Sequence, residues 1–354
     1  MAGRAATQSG GRRDPAVRLP LRRLRLVMRI EPLVQHTAFD VADWEFDAEF
    51  GVFPQGARAK DAVFAPVPPP EPVLVGGKRY LFKRSKRSYP DQFWGEVIAY
   101  RVGCLMGLEV PPAFAAFNSR TGHSAALIEW FYRDGAELFA LGGDFMQMLR
   151  PDFDRERGAK HNLQDVERLM RALVHTGALK QNWRQWWAEA LLFDAPIGNS
   201  DQHQDNWGLI FDAVGREPPH MPPCWLAPLF DNGTSLGHER FPERVAAWLE
   251  AKLDQYIDRG THHIKSSLEP GFVQGHLALL RHVLNDWAQH VDLDLLRRRI
   301  DFAPDDLILC ISDLVHVPVP SLLSPERMRF VCRLLVRRHA LLRDLLNAAA
   351  EPPG

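Results

Sequence analysis

The pattern of apolar residues changes near residue 140, and this change limits the folds open to the chain. Before it, short segments rich in Val and Phe alternate with Pro and Gly, as at 61–66, 72–77 and 78–85; such segments are typical of strands joined by turns. After it, apolar residues recur at helical intervals. The sequence therefore predicts an α+β fold with two lobes, a small strand-rich N-lobe and a larger, mostly helical C-lobe, and a ligand cleft between them.

The same pattern predicts individual elements and their boundaries. The apolar spacing from Phe93 to Leu105 predicts a helix with Asp91 as its cap, and 115–131 predicts a hairpin that turns at Thr121 and Gly122. Further helices are predicted within 163–177, 181–198, 244–258, 271–300, 305–315 and 325–348. We divide the chain into a basic arm at 1–34, the N-lobe at 35–133 and the C-lobe at 134–350.

Composition excludes several classes of protein. A formal net charge of -1 over 354 residues gives no reason to expect direct binding of nucleic acid. The four cysteines are scattered without a CxxC pair, which argues against a zinc site or a disulfide framework and favours the reducing cytoplasm. No uncharged apolar run approaches the roughly 20 residues that span a bilayer.

The basic arm is open to more than one interpretation. Residues 3–29 carry eight arginines and one acid, Asp14, without the apolar core of a secretory signal. The arm is either a targeting or interaction segment, or a disordered tail, or sequence upstream of a true start at Met28. The composition favours the last two, and so the first 27 residues need not belong to the native chain.

Three polar residues suggest a catalytic loop and a metal site. Asp201 and Asn206 are five residues apart in 197–212, the offset at which the catalytic loop of protein kinases carries its Asp and its magnesium-binding Asn. Two predicted strands follow and end in Asp231. A hairpin between them would bring Asn206 and Asp231 together as oxygen ligands for Mg²⁺, with Asp201 nearby to orient a hydroxyl. The same residue types also form ordinary capped turns, which is the alternative for this loop.

Candidate ATP-binding residues lie upstream. Lys83 falls on an apolar strand, where a lysine needs a partner, and Glu96 on the next helix is a suitable one. Alternatively, Lys83 is a strand-end member of the basic cluster at 83–87. Within 53–61, Gly56 would allow close approach of the backbone to phosphates and Lys60 would add charge, although a plain turn is as good an explanation.

The end of the N-lobe is a candidate for the adenine site. Residues 126–131 would form the linker to the C-lobe, where the backbone groups of Glu129 and Phe131 could meet adenine. A strand end with core aromatic residues explains the segment equally well. Trp183, Trp186 and Trp187 on one predicted helix are expected to pack in the core.

Taken together, these motifs resemble the HipA-like kinase family, a bacterial branch of the protein-kinase-like fold, over about residues 50–345. The segment IGNSDQHQDN is similar to the family's catalytic loop, LAPLFD to its metal-binding strand and QGARAK to its phosphate loop. The resemblance implies that Asp201 is catalytic, that Asn206 and Asp231 bind Mg²⁺ and that Lys83 holds ATP. It also implies that Gly56, Ala57 and Lys60 contact phosphates and that His203 has a structural role in the loop.

The resemblance implies an ATP- and Mg²⁺-dependent kinase that phosphorylates a hydroxyl, Ser or Thr of a protein. Two differences from the family limit which of its properties can be expected of this chain. Little more than fifty residues precede Gly56, which argues against an antitoxin-type partner, and 53–61 has no Ser or Thr for self-inactivation by phosphorylation. The alternatives are a lipid or small-molecule kinase, an inactive pseudokinase that binds a partner, and a helical binding protein with polar turns.

Overall fold

A six-stranded sheet forms the N-terminal part of the computed structural model, which describes residues 29–48, 50, 59–213, 221–237 and 241–349. Its strands are β1 (Phe39–Asp40), β2 (Glu45–Phe46), β3 (Lys60–Phe64), β4 (Arg79–Arg84), β5 (Ala113–Asn118) and β6 (His123–Glu129). Their order is β1-β5-β6-β4-β3-β2, with β1 parallel to β5 and the other neighbours antiparallel. The predicted hairpin is confirmed, since β5 and β6 are joined by a turn at 119–122 with Gly122 at φ 70°.

One helix, α1 (Trp94–Leu105), packs against β5 and β6. The predicted helix is confirmed, but the predicted cap is wrong: its N-cap is Phe93, and no side chain caps it. Asp91 instead lies 3.4 Å from Arg327 of the last helix, and burial raises the pKa of this carboxyl. The predicted strand at 72–77 is also wrong. It forms turns in which the N–H of Val75 donates to the Tyr80 hydroxyl.

The C-terminal part is mostly helical, as predicted, and contains a small sheet. Its helices are α2 (Gly142–Leu149), α3 (Leu163–His175), α4 (Trp183–Ile197), α5 (Pro242–Ala246), α6 (Glu250–Asp258), α7 (His276–Asp286), α8 (Leu293–Arg299), α9 (Pro304–Leu309) and α10 (Pro325–Ala348), with a 3₁₀ turn at Ser312–His316. The strands β7 (Glu137–Leu141), β8 (Gly208–Asp212) and β9 (Cys224–Leu226) pair antiparallel in that order.

Three of the predicted helical segments in this part are interrupted. The segments 244–258 and 271–300 each contain two helices, and 305–315 contains one helix followed by the 3₁₀ turn. By contrast, α4 starts where Asn182 accepts a hydrogen bond from the N–H of Gln185 and ends at Gly198 with φ 61°. These are the capping residues that the sequence signals for helix ends favour.

The main hydrophobic core joins the two parts. It combines the face of the large sheet that α1 covers with the buried sides of the C-terminal helices, while a second cluster fills the opposite face of the sheet. Trp183 and Trp187 are buried in the main core and Trp186 packs against it, as predicted. In the part of the chain that the structure describes, no helix is both long and apolar enough to cross a membrane.

Candidate active site

Lys83 is buried and ion-paired near the end of β4. Only 4% of its surface is exposed, and its Nζ lies 2.7 Å from Oε1 of Glu96, which is also 4% exposed. Glu96 belongs to α1, so the pair joins the sheet to its helix. Lys83 therefore does not belong with the exposed Lys86 and Arg87 of the basic cluster, and its pairing with Glu96 is the one predicted.

Asp231 reaches the same lysine from the other lobe. Its Oδ1 lies 2.5 Å from Lys83 Nζ, and its side chain is 26% exposed. The residue adopts φ 60°, a left-handed conformation that Asp and Asn tolerate better than other residues with a side chain. This turn directs the carboxylate toward Lys83 while a part of it stays accessible to solvent.

The second oxygen of Glu96 holds the loop that follows Asp231. Glu96 Oε2 accepts a hydrogen bond of 2.8 Å from the backbone N–H of Asn232. One helical position earlier, a Cβ on Gly95 would lie 3.2 Å from the carbonyl oxygen of Gly233. Glycine at 95 thus allows α1 to approach this loop closely, and Glu96 links Lys83 to the backbone beside Asp231.

The predicted catalytic loop lies between α4 and β8. The Asp201 Oδ2 accepts a 3.1 Å hydrogen bond from the Thr234 hydroxyl, so this loop and the one after Asp231 are in direct contact. Asn206 Nδ2 donates to the Asp201 carbonyl at 2.6 Å. With its nitrogen engaged in this way, the amide of Asn206 can offer Oδ1 to a cation.

The hairpin predicted to bring Asn206 and Asp231 together is present. Leu209 of β8 pairs with Leu226 of β9, and the N–H of Ala227 donates to the carbonyl of Gly208. Asn206 precedes β8 and Asp231 follows β9, so both lie at the same end of this hairpin. β9 is shorter than predicted, because the chain leaves the sheet after Leu226.

A buried polar group behind the loop was missed from the sequence. The carboxylate of Asp194, in α4, lies 2.9 Å from His262 Nε2 and accepts a 3.3 Å hydrogen bond from Asn199 Nδ2. Asn199 Oδ1 in turn accepts from the N–H of Asp201 at 3.2 Å. An acid within the apolar run ALLFDAP was the available signal, because buried carboxylates need partners.

The loop histidine, His203, makes a local contact. Its Nδ1 accepts a 3.1 Å hydrogen bond from the N–H of Asp205, and its ring centroid is 6.0 Å from that of His263. Burial lowers the pKa of His263 to about 4, aided by the neighbouring His203 and opposed by the charge of Asp201. Within the described ranges no group of three or more His, Cys, Asp or Glu residues could hold a metal ion.

The linker after β6 packs against Phe230, the residue that precedes Asp231. The ring of Phe131 stacks on that of Phe230 with centroids 5.1 Å apart. The backbone N–H of Glu129 donates to the carbonyl of Pro112 at 2.8 Å. Proline has no N–H, so Pro112 cannot return the second bond of this antiparallel pair to the Glu129 carbonyl.

The predicted phosphate loop is described only at its end. Lys60 lies directly opposite Lys83 in the antiparallel register of β3 and β4, and directly opposed residues point to the same face of a sheet. Both lysines therefore lie on the face that carries the Glu96 pair. Gly56 and Ala57 lie outside the described residues.

The model of the family described as HipA-like C-terminal domain matches residues 53–286, more than half of the chain. No curated protein gives a significant sequence match.

Solved structures that match this chain include two bacterial proteins. The Helicobacter pylori proinflammatory kinase CtkA is 14% identical with a TM-score of 0.64, and the match covers 90% of this chain and 100% of that one. HipA of Shewanella oneidensis MR-1, solved with HipB and operator DNA, is 14% identical with a TM-score of 0.47, over 86% of this chain and 70% of that one. The first of these shows a shared kinase-like fold.

Proposed function

The chain belongs to the family of HipA-like C-terminal domains, and we propose that it is an ATP- and Mg²⁺-dependent kinase that transfers the γ-phosphate to a hydroxyl, Ser or Thr of a protein. The observation that carries the proposal is the position of Lys83 between two carboxylates, those of Glu96 and Asp231. A buried lysine held by a helix glutamate beside a metal-binding aspartate is the arrangement by which kinases hold ATP phosphates.

The residues fit a magnesium ion. Asn206 Oδ1 and the carboxylate of Asp231 are hard oxygen donors at one end of the β8–β9 hairpin, and Mg²⁺ is usually bound by one or two such groups together with water and phosphate oxygens. When bound there, the metal would neutralise the charge on the phosphates. Lys83 and Lys60 would add positive charge on the same side, and Glu96 would keep Lys83 in place.

Asp201 is the residue that we expect to position the hydroxyl group of the acceptor. Its Oδ2 is fixed by the Thr234 hydroxyl, and its carbonyl is fixed by Asn206. These bonds leave Oδ1 to accept the hydrogen of a substrate hydroxyl and to align its oxygen for attack on the γ-phosphorus. Positioning of this kind is the main contribution that a protein makes to phosphoryl transfer.

The linker at 129–131 is assigned to adenine. The Glu129 carbonyl, to which Pro112 cannot donate, would accept a hydrogen bond from the exocyclic amine of the base. The N–H of Phe131 would donate to a ring nitrogen. Stacking of Phe131 on Phe230 would couple the position of this linker to the segment that carries Asp231.

The kind of acceptor and the cellular compartment rest on less specific observations. Membership of the family supports a protein as the acceptor, and neither an antitoxin-type partner nor nucleic acid is part of the proposal. The four cysteines are all free, which suits the reducing cytoplasm.

Formation of ADP and of phosphoprotein tests the proposal. The purified chain is incubated with ATP, MgCl₂ and a mixture of soluble proteins, ADP is quantified, and phosphate on Ser and Thr is located by mass spectrometry. Asp201→Asn should lower the rate about 10²- to 10⁴-fold, the usual value of a positioned acid–base group. The control is Asp205→Asn, in the same loop but paired with Arg155, which should keep most of the activity.

Three other outcomes would each contradict a different part of the proposal. Equal loss in both would mean that the loop simply fails to form and that Asp201 has no special role. Lipid phosphorylation without phosphoprotein would replace the proposed acceptor. ATP binding without any turnover would favour a partner-binding pseudokinase.

A further inference from the structure

A buried arginine borders a cavity next to the end of α4, beside the start of the catalytic loop. Arg338, in α10, is only 6% exposed, and its Nη1 has no hydrogen-bond partner in the structure. It lines a cavity of about 210 Å³ together with the start of α7. The volume exceeds that of an engineered cavity of about 150 Å³ that admits benzene, so a small molecule would fit.

The guanidinium is held in position by a close contact. A Cβ on Gly198 would lie 2.2 Å from Arg338 Nη1 and 2.3 Å from Nη2, so the group lies directly against the backbone of Gly198. Burial lowers the pKa of Arg338, an effect that its neighbour Tyr256 opposes. Tyr256 does not neutralise the charge, and a buried charge without an ionic partner is costly, so an anion beside it would lower that cost.

The second component of the cavity is the N-terminus of an eleven-residue helix. Residues 275–278, the N-cap and the first three positions of α7, all line the cavity. The N-cap is Gly275, and no side chain caps the helix. The N–H groups of Leu277 and Ala278, which a capping side chain would ordinarily bind, are therefore available to a ligand, and the helix dipole there favours negative charge.

The charge balance of the lining also favours an anion. Asp258 is the one acid among the lining residues, and no ion pair joins it to Arg338. His276, at the first position of α7, is engaged elsewhere, because its Nε2 lies 2.9 Å from the carbonyl of Asn199. Arg338 is left as the cation that a ligand in the cavity can approach.

We propose that this cavity is a binding site for a compact oxyanion, such as a phosphate group, held by Arg338 and the N-terminal N–H groups of α7. Its walls reach the catalytic loop at two points, through the contact of Arg338 with Gly198 and through the bond from His276 to Asn199. The site lies outside the proposed kinase cleft, and its existence does not depend on the proposed activity.

A matched pair of substitutions at Ala278 tests the site with inorganic phosphate as the probe. Ala278 is exposed, so a longer side chain is tolerated there. Ala278→Glu places a carboxylate at the helix N-terminus, where it would repel an anion, whereas Ala278→Gln has the same shape without the charge. The melting temperature is measured in sodium phosphate and in sodium chloride of equal ionic strength.

Phosphate should raise the melting temperature of the wild type and of Ala278→Gln by about 3 °C or more at saturation, and should have little effect on Ala278→Glu. Binding of phosphate in the kinase cleft instead would stabilise all three proteins equally and would overturn the assignment. No phosphate-specific rise in the wild type would also overturn it. Arg338→Met provides a second check: a folded protein that still binds phosphate as tightly as the wild type contradicts the role of the arginine.

Discussion

The Nζ of Lys83 lies 2.5 Å from Oδ1 of Asp231, although 148 residues separate the two in sequence. Lys83 belongs to the large sheet, and Asp231 follows the small one. The ion pair therefore joins the two lobes across the proposed ATP cleft. Because Glu96 holds the same lysine and also the backbone next to Asp231, these three residues form one unit.

Removal of the cation should affect both stability and nucleotide binding. Lys83→Met leaves the buried Glu96 without its charge partner, which we expect to destabilise the protein by about 3 kcal/mol or more and to abolish measurable ATP binding. Urea unfolding and calorimetry measure the two effects. The control is Lys86→Met, three residues away and exposed, which should change neither. ATP binding that persists in folded Lys83→Met would remove Lys83 from the site.

The close contact between α1 and the loop after Asp231 should affect the rate of phosphoryl transfer. Gly95→Ala places a Cβ 3.2 Å from the Gly233 carbonyl, and Gly95→Val adds two further methyl groups. We expect Gly95→Val to fold but to lose on the order of 10²-fold in kcat/KM, because small displacements in an aligned site are costly. Gly95→Ala should lose less. Steady-state kinetics with circular dichroism as the folding control would check this order, and equal rates in both variants would contradict it.

Acidification should destabilise the protein. Burial is the main cause that lowers the pKa of His276 to about 3 and of His263 to about 4, and it also lowers the pKa of His161 well below 6.5. In the unfolded chain these groups take up protons near pH 6.5. Between pH 6.5 and about 4 the unfolded state thus binds more protons than the folded state, so the free energy of unfolding falls as the pH falls.

The slope should be roughly 1.4 kcal/mol per pH unit for each such histidine. Urea unfolding at pH 7 and pH 5 would measure it. His263→Gln should make the decrease in the free energy of unfolding smaller by about the contribution of one histidine. His175→Gln, at an exposed position, serves as the control. A free energy of unfolding that is equal at the two pH values would contradict the account.

Much of the fold followed from local signals. The caps of helix α4 are Asn182 and Gly198, and both residue types favour these positions. The pairing of Lys83 with Glu96 was also predictable, because a lysine in an apolar strand needs a partner. The strand expected at 72–77 failed because Val and Leu there pack onto the sheet from turns, and a short apolar run does not distinguish the two cases.

Contacts between distant segments could not be predicted in the same way. The bond from His262 to Asp194 spans 68 residues, and the one from Thr234 to Asp201 spans 33. Periodic spacing within a helix or a strand brings together only residues a few positions apart, so it does not reveal either bond. The backbone of Asp231 likewise takes its left-handed conformation from tertiary context, since an Asp-Asn-Gly sequence fits several kinds of turn.

Magnesium-dependent ATP binding tests the central claim most directly. Calorimetry would compare the wild type with Asp231→Asn, a change that keeps the left-handed backbone, because Asn tolerates φ 60° well. Asp205→Asn is the control for loss of a carboxylate elsewhere in the C-lobe. We predict that Mg²⁺ strengthens ATP binding in the wild type and in Asp205→Asn, and that this gain is lost in Asp231→Asn. Equal affinity with and without Mg²⁺ in the wild type, or an unchanged gain in Asp231→Asn, would contradict the assignment of Asp231 to the metal.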